Sequence, residues 1–137
     1  MILQVFMSNL SFDERVEIAR NHRIKGSRIV KTNCYGCAFF LRGLEDKEKS
    51  ISSPEGYKRV IKECVELPRI PEKGCFVVTD YFGFGAHIGV VVDDSNKVFD
   101  RKQTNGIFRD DVSIESLRDY YESLEVKFFM HPSEIDF

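Results

Sequence analysis

Apolar residues in the first half of the chain recur every three or four positions, the spacing of one face of an α-helix. Ser11-Phe12-Asp13-Glu14 has the form of a capping box, and Phe12, Val16 and Ala19 predict the inward face of a helix that ends before Gly26. Two further helices are predicted, one over residues 33–42 and one that starts at Ser53-Pro54 and leads on to Val65.

Runs of valine, isoleucine and phenylalanine, separated by turn residues, dominate the second half and predict β-strands. The predicted strands are Cys75–Thr79, His87–Val92, Lys97–Asp100, a short one at Ile107-Phe108, and a closing one at Val126–Met130. A helix capped by Ser113 precedes the last strand. Helices first and an antiparallel sheet second predict an α+β fold, with N-terminal helices packed on the sheet.

Composition narrows the class of protein. A chain of 137 residues suits one domain, taken as residues 1–137, with 42% hydrophobic and 31% charged residues. The net charge of −2 and the lack of a basic stripe argue against a nucleic-acid partner. No apolar run approaches the ~20 residues that span a bilayer, and no targeting signal is visible. We therefore expect no membrane partner and a cytoplasmic location where the chain is made, with export by another route left open.

Cys34 is the candidate nucleophile. It lies at the predicted start of a helix with Asn33 as its cap, where backbone N–H groups and the helix dipole favour a thiolate. Cys37, one turn further and followed by apolar residues, is predicted to face the core. All four cysteines of the chain are expected to be reduced.

His87 is the candidate base, at the head of an otherwise apolar strand. Gly89 lies on the same strand face and leaves room beside the imidazole. Asp100, on the strand after the next turn, can accept a hydrogen bond from the far nitrogen of His87. Gln103 and Asn105 are alternative partners for that nitrogen.

Four segments taken in order resemble the NlpC-type peptidases and the related CHAP amidases. These segments are Asn33-Cys34-Tyr35-Gly36, Gly74–Val78, His87–Val90 and Val98-Phe99-Asp100. The resemblance covers roughly residues 30–105, and it implies a papain-like fold and a cysteine peptidase or amidase. It also implies a peptide or peptidoglycan fragment as substrate and no cofactor or metal. An inhibitor or immunity protein as partner is left open.

By this resemblance Cys34 attacks a carbonyl carbon, His87 acts as base and then as acid, and Asp100 replaces the third histidine usual in the family. The backbone N–H of Cys34 would be one oxyanion donor. The sequence departs from the family pattern where Asn33 replaces aspartate and Tyr35 replaces serine. The side chains expected at the oxyanion site or along the substrate groove are Tyr35, Tyr81 and Phe84.

Two other functions fit parts of the pattern. The Cys34-x-x-Cys37 spacing permits a thiol redox site or a metal site, although a redox site of this kind normally follows a strand in an alternating α/β chain. Zinc needs four ligands, usually as two close pairs, whereas Cys64 and Cys75 lie in different predicted elements. A papain-like binding module without activity is the third interpretation.

Overall fold

The computed structural model describes residues 10–21, 32–67, 72–81, 84–95, 97–101, 108–120 and 125–131. Within these ranges the side chains of residues 81, 84–86, 101, 108–111 and 118–120 are outside the description. The described helices are α1 (Phe12–Asn21), α2 (Cys34–Leu41), α3 (Ser53–Glu63) and α4 (Ile114–Tyr120). The described strands are β1 (Val65–Leu67), β2 (Phe76–Tyr81), β3 (Phe84–Val91), β4 (Val98–Arg101), β5 (Phe108–Val112) and β6 (Glu125–Met130).

The six strands form one sheet in the order β1-β6-β2-β3-β4-β5, and every neighbouring pair is antiparallel. The last of the described strands, β6, thus lies inside the sheet, between β1 and β2. Three helices precede most of the sheet in sequence and α4 precedes β6. The α+β class with an antiparallel sheet is therefore confirmed.

The predicted helix starts are largely confirmed. The Ser11 hydroxyl accepts from the Glu14 N–H at 3.1 Å and a Glu14 carboxylate oxygen accepts from the Ser11 N–H at 3.1 Å, which makes the capping box. The end of α1 near Gly26 lies outside the described residues. For α4, the Ser113 hydroxyl accepts from the N–H of Ser116.

The predicted start of α3 at Ser53-Pro54 is confirmed, whereas its predicted extension to Val65 was wrong. Its cap is Ser52, whose hydroxyl accepts from the N–H of Glu55, so Ser53 is already helical. The helix ends before Cys64, which has an extended backbone, and Val65 starts β1 opposite Met130. Val65 is β-branched and 47% exposed, so pairing with the edge of the sheet, rather than burial, decides its conformation.

Successive side chains of each strand point to opposite faces of the sheet, so a hydrophobic core lies on each side of it. Phe76 and Val78 face a layer made by α1, α2 and α3, whereas Val77 faces a second cluster that contains Leu117 of α4. Each fully buried aliphatic or aromatic side chain of this kind contributes about 1.5–3 kcal/mol. The helix layer fixes α2, and with it Cys34, against the strands that carry His87 and Asp100.

Arg15 fixes the far end of α2. Its side chain is only 3% exposed, and one guanidinium nitrogen donates to the carbonyl of Phe40 at 2.9 Å and to that of Glu45 at 3.2 Å. The guanidinium also lies over the Phe40 ring, 5.1 Å from its centroid. The Phe40 carbonyl belongs to the last turn of α2, where a cation is favourable, and Glu45 lies in the segment that follows the helix.

None of the helices in the described residues has the length and apolar character to cross a membrane.

Candidate active site

Asn33 caps α2 and also holds a neighbouring segment. Its side-chain oxygen accepts from the N–H of Gly36 at 3.0 Å and from the N–H of Ile51 at 3.1 Å. Its side-chain nitrogen donates to the carbonyl of Ile51 at 2.6 Å. Only an amide offers both an acceptor and a donor in this geometry, whereas a carboxylate accepts only. The choice of asparagine rather than aspartate at position 33 thus has a structural reason.

Gly36 lets the same segment approach the first turn of α2. A Cβ atom at this position would overlap the backbone carbonyl of Lys49. The hydroxyl of Thr32 donates to that carbonyl at 3.3 Å, so the segment is held from both sides of the helix start. The N-terminus of α2 is therefore rigidly placed, and Cys34 is its first residue.

His87 and Asp100 form a buried pair. The imidazole Nε2 lies 2.7 Å from the Oδ2 atom of Asp100, and the two residues are 2% and 1% exposed. Since Asp100 takes Nε2, Nδ1 is the ring nitrogen that remains for Cys34. The two nitrogens are used the other way round in Ser-His-Asp triads, where Nδ1 faces the carboxylate.

Electrostatics favour the charged form of this imidazole. Burial by itself lowers the pKa of His87, but the hydrogen bonds to Asp100 and Cys34 outweigh burial and raise the pKa to about 9, above the ordinary 6.5. Because Cys34 contributes to this pKa, its thiol lies near the imidazole and the carboxylate. The predicted Cys34, His87 and Asp100 thus lie together.

Gly89 provides the space in which Asp100 sits. A Cβ atom at Gly89 would lie 2.5 Å from Cγ1 of Val98, 3.1 Å from the carbonyl oxygen of Phe99 and 3.2 Å from Cβ of Asp100. These distances are shorter than ordinary van der Waals contact. The room expected beside His87 is therefore present, and β4 fills it.

Tyr35 is fully buried and packs as an edge-to-face pair on Phe39, with 6.0 Å between ring centroids. Gly56 of α3 makes space for this ring, since a Cβ there would overlap it. Burial, and then Coulombic interactions with Cys34 and Tyr57, raise the pKa of the Tyr35 phenol, which stays protonated. The side chains of Tyr81 and Phe84 lie outside the described part of the chain, as do the alternative partners Gln103 and Asn105.

A second buried carboxylate, that of Asp80, and its bond to Lys127 were not predicted from the sequence. Asp80, only 6% exposed, follows Thr79, which pairs with His87 across the strands. The Nζ atom of Lys127 lies 3.0 Å from Oδ2 of Asp80, and this bond raises the pKa of Lys127. The sequence feature that could have indicated this pair is Lys127, a lysine between apolar residues of the closing strand.

The geometry also bears on the metal and redox interpretations. All four cysteines lie within the described residues and carry thiols rather than disulfides. Among the residues that the structure describes, no three His, Cys, Asp or Glu side chains are grouped as a metal ion requires. Cys34 and Cys37 are each 1% exposed, so both thiols are shielded from solvent. A large ligand can reach Cys34 only if neighbouring groups move.

No protein-family model, curated protein or solved structure matches this chain.

Proposed function

We propose that this protein is a cysteine-nucleophile amide hydrolase of the papain-like type. The observation that supports the proposal is the buried contact of 2.7 Å between His87 Nε2 and Asp100 Oδ2, together with the position of Cys34 at the start of α2, where its thiol helps to raise the pKa of the same imidazole. A thiol, an imidazole and an orienting carboxylate in this order are the parts that nucleophilic acyl transfer requires.

The proposed reaction has two halves. The sulfur of Cys34 attacks the carbonyl carbon of an amide, and the C–N bond breaks as the His87 imidazolium gives its proton to the leaving amine. The acyl group is then held as a thioester. His87, now neutral, takes a proton from water as the water attacks the thioester, and the acid leaves from the sulfur. Asp100 holds the ring and stabilises its charged form.

The developing oxyanion needs donors in place before reaction. The first N–H groups of a helix have no acceptor within the helix, so the backbone N–H of Cys34 is the proposed donor. Tyr35 is less suited to this role than the sequence suggested. Its ring is buried against Phe39 and Gly56, so its part is to pack the start of α2.

The proposed substrate is a peptidoglycan stem peptide or a related amide, and this rests on the resemblance alone. The test is to incubate soluble stem-peptide fragments with the wild-type chain and with Cys34→Ser and Cys37→Ser, and to follow products by mass spectrometry. We expect new amine and carboxyl products with the wild type and with Cys37→Ser, and none with Cys34→Ser. Equal cleavage by Cys34→Ser would overturn the proposed nucleophile.

A second experiment tests the proposed nucleophile without assuming that stem peptides are the substrate. The same three chains are incubated with a series of acyl esters that can transfer their acyl group to a cysteine as a thioester. The intact mass of each chain is measured after acid quench. Acylation of the wild type and of Cys37→Ser, but not of Cys34→Ser, supports the nucleophile even where stem peptides are not cut. If neither reaction occurs in the wild type, the hydrolase proposal is rejected in favour of a binding module.

A further inference from the structure

The proposed hydrolysis leaves one thiol of the first turn of α2 unused. Cys37 lies three residues after Cys34 on the same helix, and both belong to one buried cluster. Residues at this spacing are neighbours on a helix surface, with Cβ atoms about 5–6 Å apart. We propose that Cys34 and Cys37 form a dithiol that a hydroperoxide oxidises to a reversible intrahelical disulfide.

Helix geometry permits this bond. From the rise and radius of an α-helix, Cα atoms three residues apart are separated by ~5 Å. That separation is within the range of about 4.4–6.8 Å found for disulfides, whereas the Cβ atoms must close to about 3.5–4.5 Å. The first turn must therefore tighten slightly. A disulfide formed under such strain is easily reduced, which makes the oxidation reversible.

The surroundings of the pair favour attack by Cys34. The imidazole of His87 lies near Cys34, whose thiol helps to raise the imidazole pKa to about 9, so the protonated ring can supply a proton to a leaving oxygen. The other two cysteines are less acidic, since burial raises the pKa of Cys64 and of Cys75 to about 11. These two are thus poor competitors for an oxidant at neutral pH.

The oxidation balances in two steps. The Cys34 thiolate attacks one oxygen of the hydroperoxide, the O–O bond breaks, and the departing alkoxide or hydroxide takes a proton from the His87 imidazolium. Cys34 is then a sulfenic acid. The sulfur of Cys37 attacks the sulfur of Cys34, an S–S bond forms, the S–O bond breaks, and the hydroxide leaves as water with the proton of Cys37. Two thiols are oxidised and one hydroperoxide is reduced.

This oxidation does not rest on the proposed hydrolysis, and its test does not use activity. Trypsin cleaves after Lys31 and Arg42, so both cysteines are released on the single peptide Thr32–Arg42. The reduced full chain is treated with one equivalent of hydrogen peroxide, alkylated with iodoacetamide, digested and mapped. We expect Thr32–Arg42 to be lighter by two hydrogen atoms and to lose both labels, and dithiothreitol to restore them.

Matched variants identify the second sulfur. In Cys37→Ala the resolving thiol is missing, so when this variant and the wild type are both given at least two equivalents of hydrogen peroxide, one for each oxygen atom, Cys34 of the variant should proceed to a form heavier by two oxygen atoms, which dithiothreitol does not reverse. Cys64→Ala should behave as the wild type does. The inference is overturned if peroxide-treated wild type keeps both labels on Thr32–Arg42, or if Cys34 gains two oxygens equally in the wild type and in Cys37→Ala. The wild-type map decides even where a variant does not fold.

Discussion

The Nε2 atom of His87 lies 2.7 Å from Oδ2 of Asp100 although the two residues are 13 positions apart, on the neighbouring strands β3 and β4. Both side chains are buried almost completely. Ions in the interior are costly unless they are paired and hydrogen-bonded, so each of these groups depends on the other. Removal of one charge should therefore change both the titration of the partner and the stability of the fold.

The pH dependence of stability is the first consequence. The folded pKa of His87, about 9, lies above the ordinary 6.5, so the protonated ring stabilises the folded state. This stabilisation is fully present below pH 6.5 and is lost as the pH rises through 9. We expect it to amount to at most about 3 kcal/mol. Urea unfolding between pH 6 and pH 10 measures it.

Asp100→Asn is the matched variant, because it keeps the shape and removes the charge. In this variant the pKa of His87, followed by NMR, should fall toward 6.5, and the decline of stability between pH 6.5 and pH 9 should flatten. Equal slopes for the variant and the wild type would show that the pair does not control this titration.

Asn33→Asp tests the clamp at the start of α2. The carboxylate still accepts from the N–H of Gly36, but it cannot donate to the Ile51 carbonyl. One carboxylate oxygen then lies against that carbonyl oxygen, and both are acceptors. A buried acceptor left without its donor costs about 1–3 kcal/mol. We expect a loss of this size in chemical denaturation.

Ser52→Asp is the control for this change. The Ser52 hydroxyl at the start of α3 accepts from a single N–H, that of Glu55. Aspartate serves such a cap about as well as serine does, so the stability should change little. If Asn33→Asp were as stable as Ser52→Asp, the bond to Ile51 would not hold the segment in place.

Gly89→Ala tests the close approach of β4. The added Cβ would meet Val98, the carbonyl of Phe99 and Cβ of Asp100, so β4 must shift away from His87. Overpacking of this kind costs about 1–3 kcal/mol. We also expect the pKa of His87 to fall, because its carboxylate partner moves away.

Gly43→Ala is the control that separates a loss of stability from a change in the pKa of His87. Gly43 has a φ of 76°, so alanine there strains the backbone by about 1–2 kcal/mol without touching β4. Its His87 titration should match that of the wild type. An unchanged His87 titration in Gly89→Ala would mean that Asp100 holds its position without the space at Gly89.

Local signals in the sequence were sufficient for many of the elements. The capping box at Ser11 and Glu14, the cap at Asn33 and the strands around Val78 and Val90 are short-range patterns, and the structure has them. The place of Val65 was missed because an edge strand of three residues depends on its partner Met130, far along the chain.

The site was predictable where residue type and order carry the chemistry. Cys34 and His87 could be chosen from their elements, whereas Asp100 could not be separated from Gln103 and Asn105 by sequence alone. The spacing of β3 and β4 decides which residue meets the ring, and this depends on register. The hydrogen bond from Asn33 to Ile51 could not be predicted from the sequence because it joins residues 18 positions apart.

Iodoacetamide labelling mapped to each cysteine tests the pairing of Cys34 with His87. The rates are measured from pH 5 to pH 10 for the wild type and for His87→Ala. Since Cys34 is 1% exposed, the alanine variant opens space beside the sulfur and would speed labelling if access were limiting. We predict the opposite: selective labelling of Cys34 near pH 6 in the wild type, reduced at least about tenfold in His87→Ala, since one pH unit corresponds to tenfold in the reactive form. Labelling of Cys34 that matches Cys37, starts only at alkaline pH, or increases in His87→Ala would contradict the account.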